Sequence, residues 1–137
     1  MANELSRNKQ HELIMTCIYD ALIYISLNEA FSVEEIMEGV YEQPYIDIPA
    51  FSKEILIKSL KNLNEIIDYI QGYMPKRKFD HLNNISKAIL IMSVVQGKYL
   101  DEVTPKEIII DIAVRLAKAY LDENDYKFIN ALLDNAL

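Results

Sequence analysis

The stretch TPKEIIIDIAVRLAKAYLDENDYKFINALLD, from Thr104 to Asp134, reads as a capped amphipathic helix, an acidic turn and a second short helix. Ile109, Ala113, Leu116, Ala117 and Tyr120 recur at the spacing that lines one face of a helix. Thr104 and Glu107 have the spacing of a capping box, with Pro105 at the first helical position, where a missing N–H costs little. After LDEND, Phe128, Ile129, Leu132 and Leu133 carry the next apolar face.

The same pattern extends back through the chain. Leu13, Ile14, Cys17, Ile18, Ala21, Leu22 and Ile25 mark a first helix from about Glu4 to Leu27. Ser32 and Glu35 repeat the capping-box spacing and open a second helix that ends near Tyr41. QPYIDIPAF is a loop punctuated by Pro44 and Pro49. Phe51 to Tyr73 is helical, and LKNLNE in its middle marks a break because asparagine is a poor helix former. PKRKFD is a basic linker, and Leu82, Ile85, Ile89, Met92 and Gln96 follow on a helix closing near Gly97. The reading is all-α, about seven helices with short connections, in one domain spanning residues 1–137. Scarce glycine (3) and proline (4) and a 51% apolar fraction agree with it.

Composition narrows the function. The single cysteine, Cys17, excludes an internal disulfide framework, and a cytoplasmic location is expected. No apolar run is long enough to span a bilayer, so no membrane role is expected. Gly39, Gly72 and Gly97 are isolated, which leaves no phosphate loop or dinucleotide fingerprint. His11 and His81 lack partners at ligand spacing, so neither metal nor cofactor is expected, and no catalytic constellation points to an enzyme.

The net charge of −7 argues against bulk nucleic-acid binding. It is uneven, however. Residues 1–57 hold 3 basic and 10 acidic side chains, residues 58–98 hold 7 and 3, and residues 99–137 hold 4 and 8. Any polyanion site must be local. Two segments qualify. In SRNKQHE, Arg7 and His11 stand four residues apart and share a helix face, so both are candidate phosphate contacts. In DYKFIN, Lys127 adjoins Phe128, which pairs a phosphate contact with a stacking platform. Taken locally, both have a plainer reading: a polar first turn, and a phenylalanine in the core.

Together these segments resemble the NusB family of transcription antitermination factors. SRNKQHELIMTCIY is similar to the family's arginine-rich opening run. KFDHLNNISKAILIMSV resembles its Trp-x-x-Asp-Arg-Leu stretch and the helix after it, PKEIIIDIAVRLAKAY its Pro-x-x-Val-x-Ile-Asn-Glu-Ala helix, and DYKFINALLD its closing Lys-Phe-Val-Asn-Gly-Val-Leu. The resemblance implies two small packed helical bundles. It also implies binding of a boxA-type single-stranded RNA together with the ribosomal protein NusE, in the elongation complex that makes ribosomal RNA. Arg7, Lys9, His11, Lys127 and Phe128 would form the RNA surface, His11 assisting at lower pH. The chain departs from the pattern where Asn8 and Gln10 thin the arginines, and where Arg77 and His81 replace the tryptophan and arginine. Asp111 and Ile112 stand for the Asn-Glu pair, and Ala131 for the glycine. Two alternatives are weighed beside it: a protein-interaction module that has lost RNA binding, and an enzyme-associated domain like the NusB-like modules fused to ribosomal RNA methyltransferases, which the missing glycine-rich cofactor loop disfavours; a homodimer that hides the RNA surface also stays open.

Overall fold

Four short polar side chains decide where helices begin. The Ser6 and Ser32 hydroxyls accept from the backbone N–H of Lys9 (3.1 Å) and Glu35 (3.3 Å). Asn83 accepts from the N–H of Ser86 (2.8 Å) and Asp122 from that of Asp125 (2.9 Å). Each bond satisfies an N–H that the first turn leaves without an intrahelical partner.

The structure is a computed structural model that describes residues 5–137, so Glu4, where the sequence reading starts the first helix, lies outside the described residues. Among the described residues the chain is all-helical: α1 Arg7–Ser26, α2 Val33–Tyr41, α3 Ala50–Lys61, α4 Leu63–Gln71, α5 Asn84–Lys98, α6 Lys106–Tyr120 and α7 Glu123–Ala136. Short 3₁₀ turns at Tyr45–Asp47 and Phe79–His81 interrupt the two long connections. The break within LKNLNE falls at Asn62. Its side-chain amide donates to the Lys58 carbonyl (3.0 Å), as does its own backbone N–H (3.1 Å). Such side-chain competition for backbone partners is what makes asparagine a poor helix interior.

The two capping boxes are realised only in part. Ser32 caps α2, but the Glu35 carboxylate makes no return bond. At α6 the cap position is Pro105 and no side chain caps the helix. The Thr104 N–H instead donates to the carbonyl of Gln96 (3.0 Å), tying the α5–α6 connection down.

Everything packs around α5. Its residues from Ala88 to Gln96 are all buried, so neighbours must cover it on every side. Helices α1 and α3 cover one flank and α4, α6 and α7 the rest, while α2 lies against α1. The Tyr69 hydroxyl of α4 donates to the Ala136 carbonyl and joins α4 to the end of α7. Cys17 lies inside this core, and burial pushes its thiol up to about 12, which makes it a small hydrophobe. Two expected core positions prove to be surface. Ile25 lies past Leu22, the last buried residue of α1, and is 44% exposed, and Tyr120 is 47% exposed with its hydroxyl donating to Glu12 (2.8 Å).

Gly39 lies inside α2, and a Cβ built there meets nothing within 4 Å. Glycine in a helix interior forfeits about 0.5–1 kcal/mol relative to alanine. Gly39→Ala is therefore expected to raise stability by about that much. Urea unfolding of the two proteins checks this, and a lower midpoint for the variant would show a packing role for the glycine.

Candidate nucleic-acid interface

The start of α1 turns its polar run both ways. Gln10 and His11 face inward, while Arg7, Asn8, Lys9 and Glu12 face outward or lie half-exposed. Gln10 is held by the Leu5 carbonyl, which its amide meets at 3.0 Å, and by the Ser52 hydroxyl, which donates to it at 3.2 Å. The first turn contains no acidic residue. Arg7 and Lys9 therefore add to the positive end of the helix dipole rather than offsetting it.

Arg7 does not extend freely into solvent. Its guanidinium lies over the ring of Phe51, on α3, 3.6 Å from the centroid. That ring meets His11 edge-on, 5.6 Å between centroids at 84°. His11 in turn lies 2.8 Å from the side-chain amide nitrogen of Gln96. An amide nitrogen only donates, so the imidazole Nε2 accepts, and the ring is neutral with its hydrogen on Nδ1. The series Arg7, Phe51, His11, Gln96 runs from the surface to the central helix.

The neighbouring wall comes from α6. Arg115 donates to the side-chain oxygen of Asn8 (2.7 Å) and to Asp111 (3.3 Å), one turn back on its own helix. Between Arg7 and Arg115 lies a pocket of about 310 Å³, lined also by His11, Phe51, Gln96, Ile108 and the Asp111 carboxylate that pairs with Arg115. Two arginines and an aromatic ring thus converge on one concavity. Lys9 stands beside it, 3.7 Å from Glu12.

His11 requires a correction. It is 5% exposed and forms part of the inner wall of the pocket, so its ring is not the exposed phosphate contact expected. Burial lowers its pKa and the charges of Arg7 and Arg115 push the same way. The Arg7 carbonyl one turn back opposes them, although Nδ1 finds no partner of ordinary hydrogen-bond geometry. The expected assistance at lower pH is thus set against the cost of charging a buried ring. His11 positions Phe51, and through it Arg7.

The C-terminal pair is not among the residues that line this pocket. Lys127 forms an exposed ion pair with Glu123, one turn back, at 2.6 Å. Phe128 is half-buried against the core, and the Arg77 guanidinium covers its ring at 4.3 Å. The arginine standing for the family's tryptophan therefore supplies a flat group on that phenylalanine. Among the described residues, no hydrogen bond or ion pair joins Lys127 or Phe128 to the start of α1.

Sequence reasoning missed the parts of Phe51, Gln96 and Arg115 in the site, and the placing of Arg77 over Phe128. Their partners lie 44, 85, 107 and 51 positions away, so helical periodicity carries no trace of them. Among the described residues no cluster of His, Cys, Asp and Glu could hold a metal, and no helix is long and apolar enough to cross a membrane.

A depressed histidine pKa has a fixed sign in stability. Below the ordinary value of 6.5 the unfolded chain takes up a proton that folded His11 resists. Its contribution is intact above pH 6.5 and shrinks as pH falls from there toward the folded pKa. His11→Gln should therefore lose less stability than the parent between pH 7.5 and 5.5. Urea midpoints at the two pH values measure this, and equal losses would mean His11 titrates as a solvent-exposed ring.

The NusB family profile matches residues 8–137. A transcription antitermination protein NusB from Treponema denticola is 39% identical over 85 residues, covering 62% of each chain. Its counterpart from Macrococcus caseolyticus is 33% identical over 112 residues, 80% of this chain and 83% of that one. The fold superposes on T. maritima NusB with a TM-score of 0.78 at 22% identity, covering 98% of this chain and 92% of that one. It is also similar to a structure of the antitermination factors NusB and NusE in complex with dsRNA, with a TM-score of 0.76 at 20% identity over 95% and 94% of the two chains. The chain belongs to the NusB family.

Proposed function

We propose that this chain acts in transcription antitermination by holding a boxA-like single-stranded RNA leader at the start of α1, alongside a NusE-type ribosomal protein, while ribosomal RNA is made. The observation that carries the reading is the pairing of Arg7 and Arg115 across the Phe51 pocket. Two guanidiniums there face the open end of a helix dipole with no acid in the first turn. Guanidinium groups bind phosphate oxygens in pairs of parallel hydrogen bonds, and the flat Arg7 group lying on the Phe51 ring can take an unstacked base on its outer side. The solved complex of NusB and NusE with dsRNA, on the same fold, supports RNA and a protein partner together. Lys9 adds a second-rank contact, since RNA must compete with Glu12 for it. Lys127 and Phe128 form a separate outer edge, usable once Arg77 swings off the ring.

A second reading has its own observation. Lys9 and Lys127, two of the cations expected to meet RNA, are each paired with a glutamate. A chain of net charge −7 so arranged also suits a protein-interaction module without RNA affinity. Exposed ion pairs contribute only about 0–1 kcal/mol, so an approaching phosphate displaces them readily, and the RNA reading is the stronger.

Titrating a fluorescent boxA-like RNA at two salt concentrations, with and without the ribosomal partner, decides between them. Arg7→Ala and Arg115→Ala should each weaken binding and flatten the log–log salt dependence by about 0.7. Lys127→Ala should have a smaller effect on both. Loss of slope in neither arginine variant would remove RNA from this pocket. Absence of RNA binding with or without the partner would leave the protein-only module.

A further inference from the structure

The far end of α1 has the opposite character. Tyr24 lies seventeen residues beyond Arg7, about 26 Å along the helix at 1.5 Å per residue. There α1 and α2 diverge around a groove of about 620 Å³, lined by Asp20, Tyr24, Phe31, Glu35, Gly39 and Val40. The Tyr24 and Phe31 rings stack along one wall, 5.7 Å between centroids at 27°. Beside the groove Ile25 and Leu27 are exposed, the latter by 62%.

Three observations say what would fill it. The first is charge. From Gln10 to Ser52 the chain has no lysine or arginine, and it has eight carboxylates. The second is Asp20. Among the described residues its half-buried carboxylate forms no ion pair, and burial alone raises its pKa. A carboxylate partly stripped of water and left without a cation is stabilised by one brought from outside. The third is Gly39. Among the described residues nothing lies within 4 Å of a Cβ built there, and Gly39 lines the groove, so that side of it stands open.

We infer that this groove docks a basic segment of another protein, with an aliphatic or aromatic side chain seated over Gly39 against Tyr24 and Phe31 and flanking cations on Asp20 and Glu35. A nucleic acid is the wrong sign for it. The site stands at the other end of α1 from the Arg7 pocket, so both can be filled at once, and it does not rest on the RNA reading.

The chain contains no tryptophan, so a tryptophan in a probe reports alone. The probe is the peptide acetyl-Lys-Lys-Trp-Lys-Lys-amide, with acetyl-Glu-Glu-Trp-Glu-Glu-amide as the control. The lysine peptide should show a saturable blue shift on the full chain and move the amide resonances of Asp20, Tyr24, Phe31 and Glu35. The glutamate peptide should do neither. Gly39→Leu, which puts a good helix former into open space and should stay folded by circular dichroism, fills the floor and should weaken binding about tenfold or more. The double variant Asp20→Asn, Glu35→Gln should weaken it without altering the groove's shape. Unchanged binding by folded Gly39→Leu overturns the proposal, as do resonance changes scattered over all acidic surfaces. Concentration-dependent dimerisation that Gly39→Leu abolishes would also overturn it, because the occupant would then be a second copy of this chain.

Discussion

A helix with no polar side dictates this architecture. Nine consecutive residues of α5, Ala88 to Gln96, are out of solvent. Such a helix has no face to give to water, so it forms only inside a ring of other helices. Its polar groups are satisfied from within that ring. The Ser93 hydroxyl turns back onto the Ile89 carbonyl (2.7 Å), the Gln96 side chain meets His11, and the Gln96 carbonyl accepts from Thr104. The Gln96 contacts have the longer reach, because they fix α1 and the approach to α6 on the same end of α5. Arg7 and Arg115, 108 positions apart, face one pocket because both helices are anchored there.

Beneath the arginines lies a buried polar layer of Gln10, Ser52, His11 and Gln96. Buried polar groups stabilise little on balance, but leaving one unpaired is costly, so the layer admits few arrangements. That restriction holds the Phe51 ring edge-on to His11 and flat beneath Arg7. An arginine lying on a ring loses less freedom when a ligand arrives than one waving in solvent, which favours binding by preorganisation.

The helices were legible because their signals are local. Ser32, Asn62, Gly97 and the LDEND turn all fall at or beside observed boundaries. The apolar face of α1 is correct from Ile14 to Leu22 and fails at Ile25, where the period continues but burial has ended. Periodicity tells which residues share a face, not where the facing helix ends. Tyr120 fails likewise: its spacing fits the apolar stripe of α6, while its hydroxyl found Glu12 of α1 at the surface. The candidate site was legible only on its outer side. Arg7 and Lys9 are exposed, whereas His11, on the same helix stripe as Arg7, is carried under Phe51 by the arrival of α3. Arg115 occupies an unremarked position in the α6 motif and became visible only when α6 was laid beside α1.

Helix α1 is charged against its own dipole. Its first turn has Arg7 and Lys9 and no acid, its last turn has no base, and acidic residues gather beyond it at Glu29, Glu34 and Glu35. A misplaced charge at a helix end costs on the order of 0.3–1 kcal/mol. Burial of Ile14, Cys17, Ile18 and Ala21 against the core offsets that many times over, since each large apolar side chain contributes about 1.5–3 kcal/mol. The fold therefore tolerates the reversed polarity without needing it. A basic end suits phosphate, an acidic end suits a cationic chain, and the helix between them is long enough to keep the two apart.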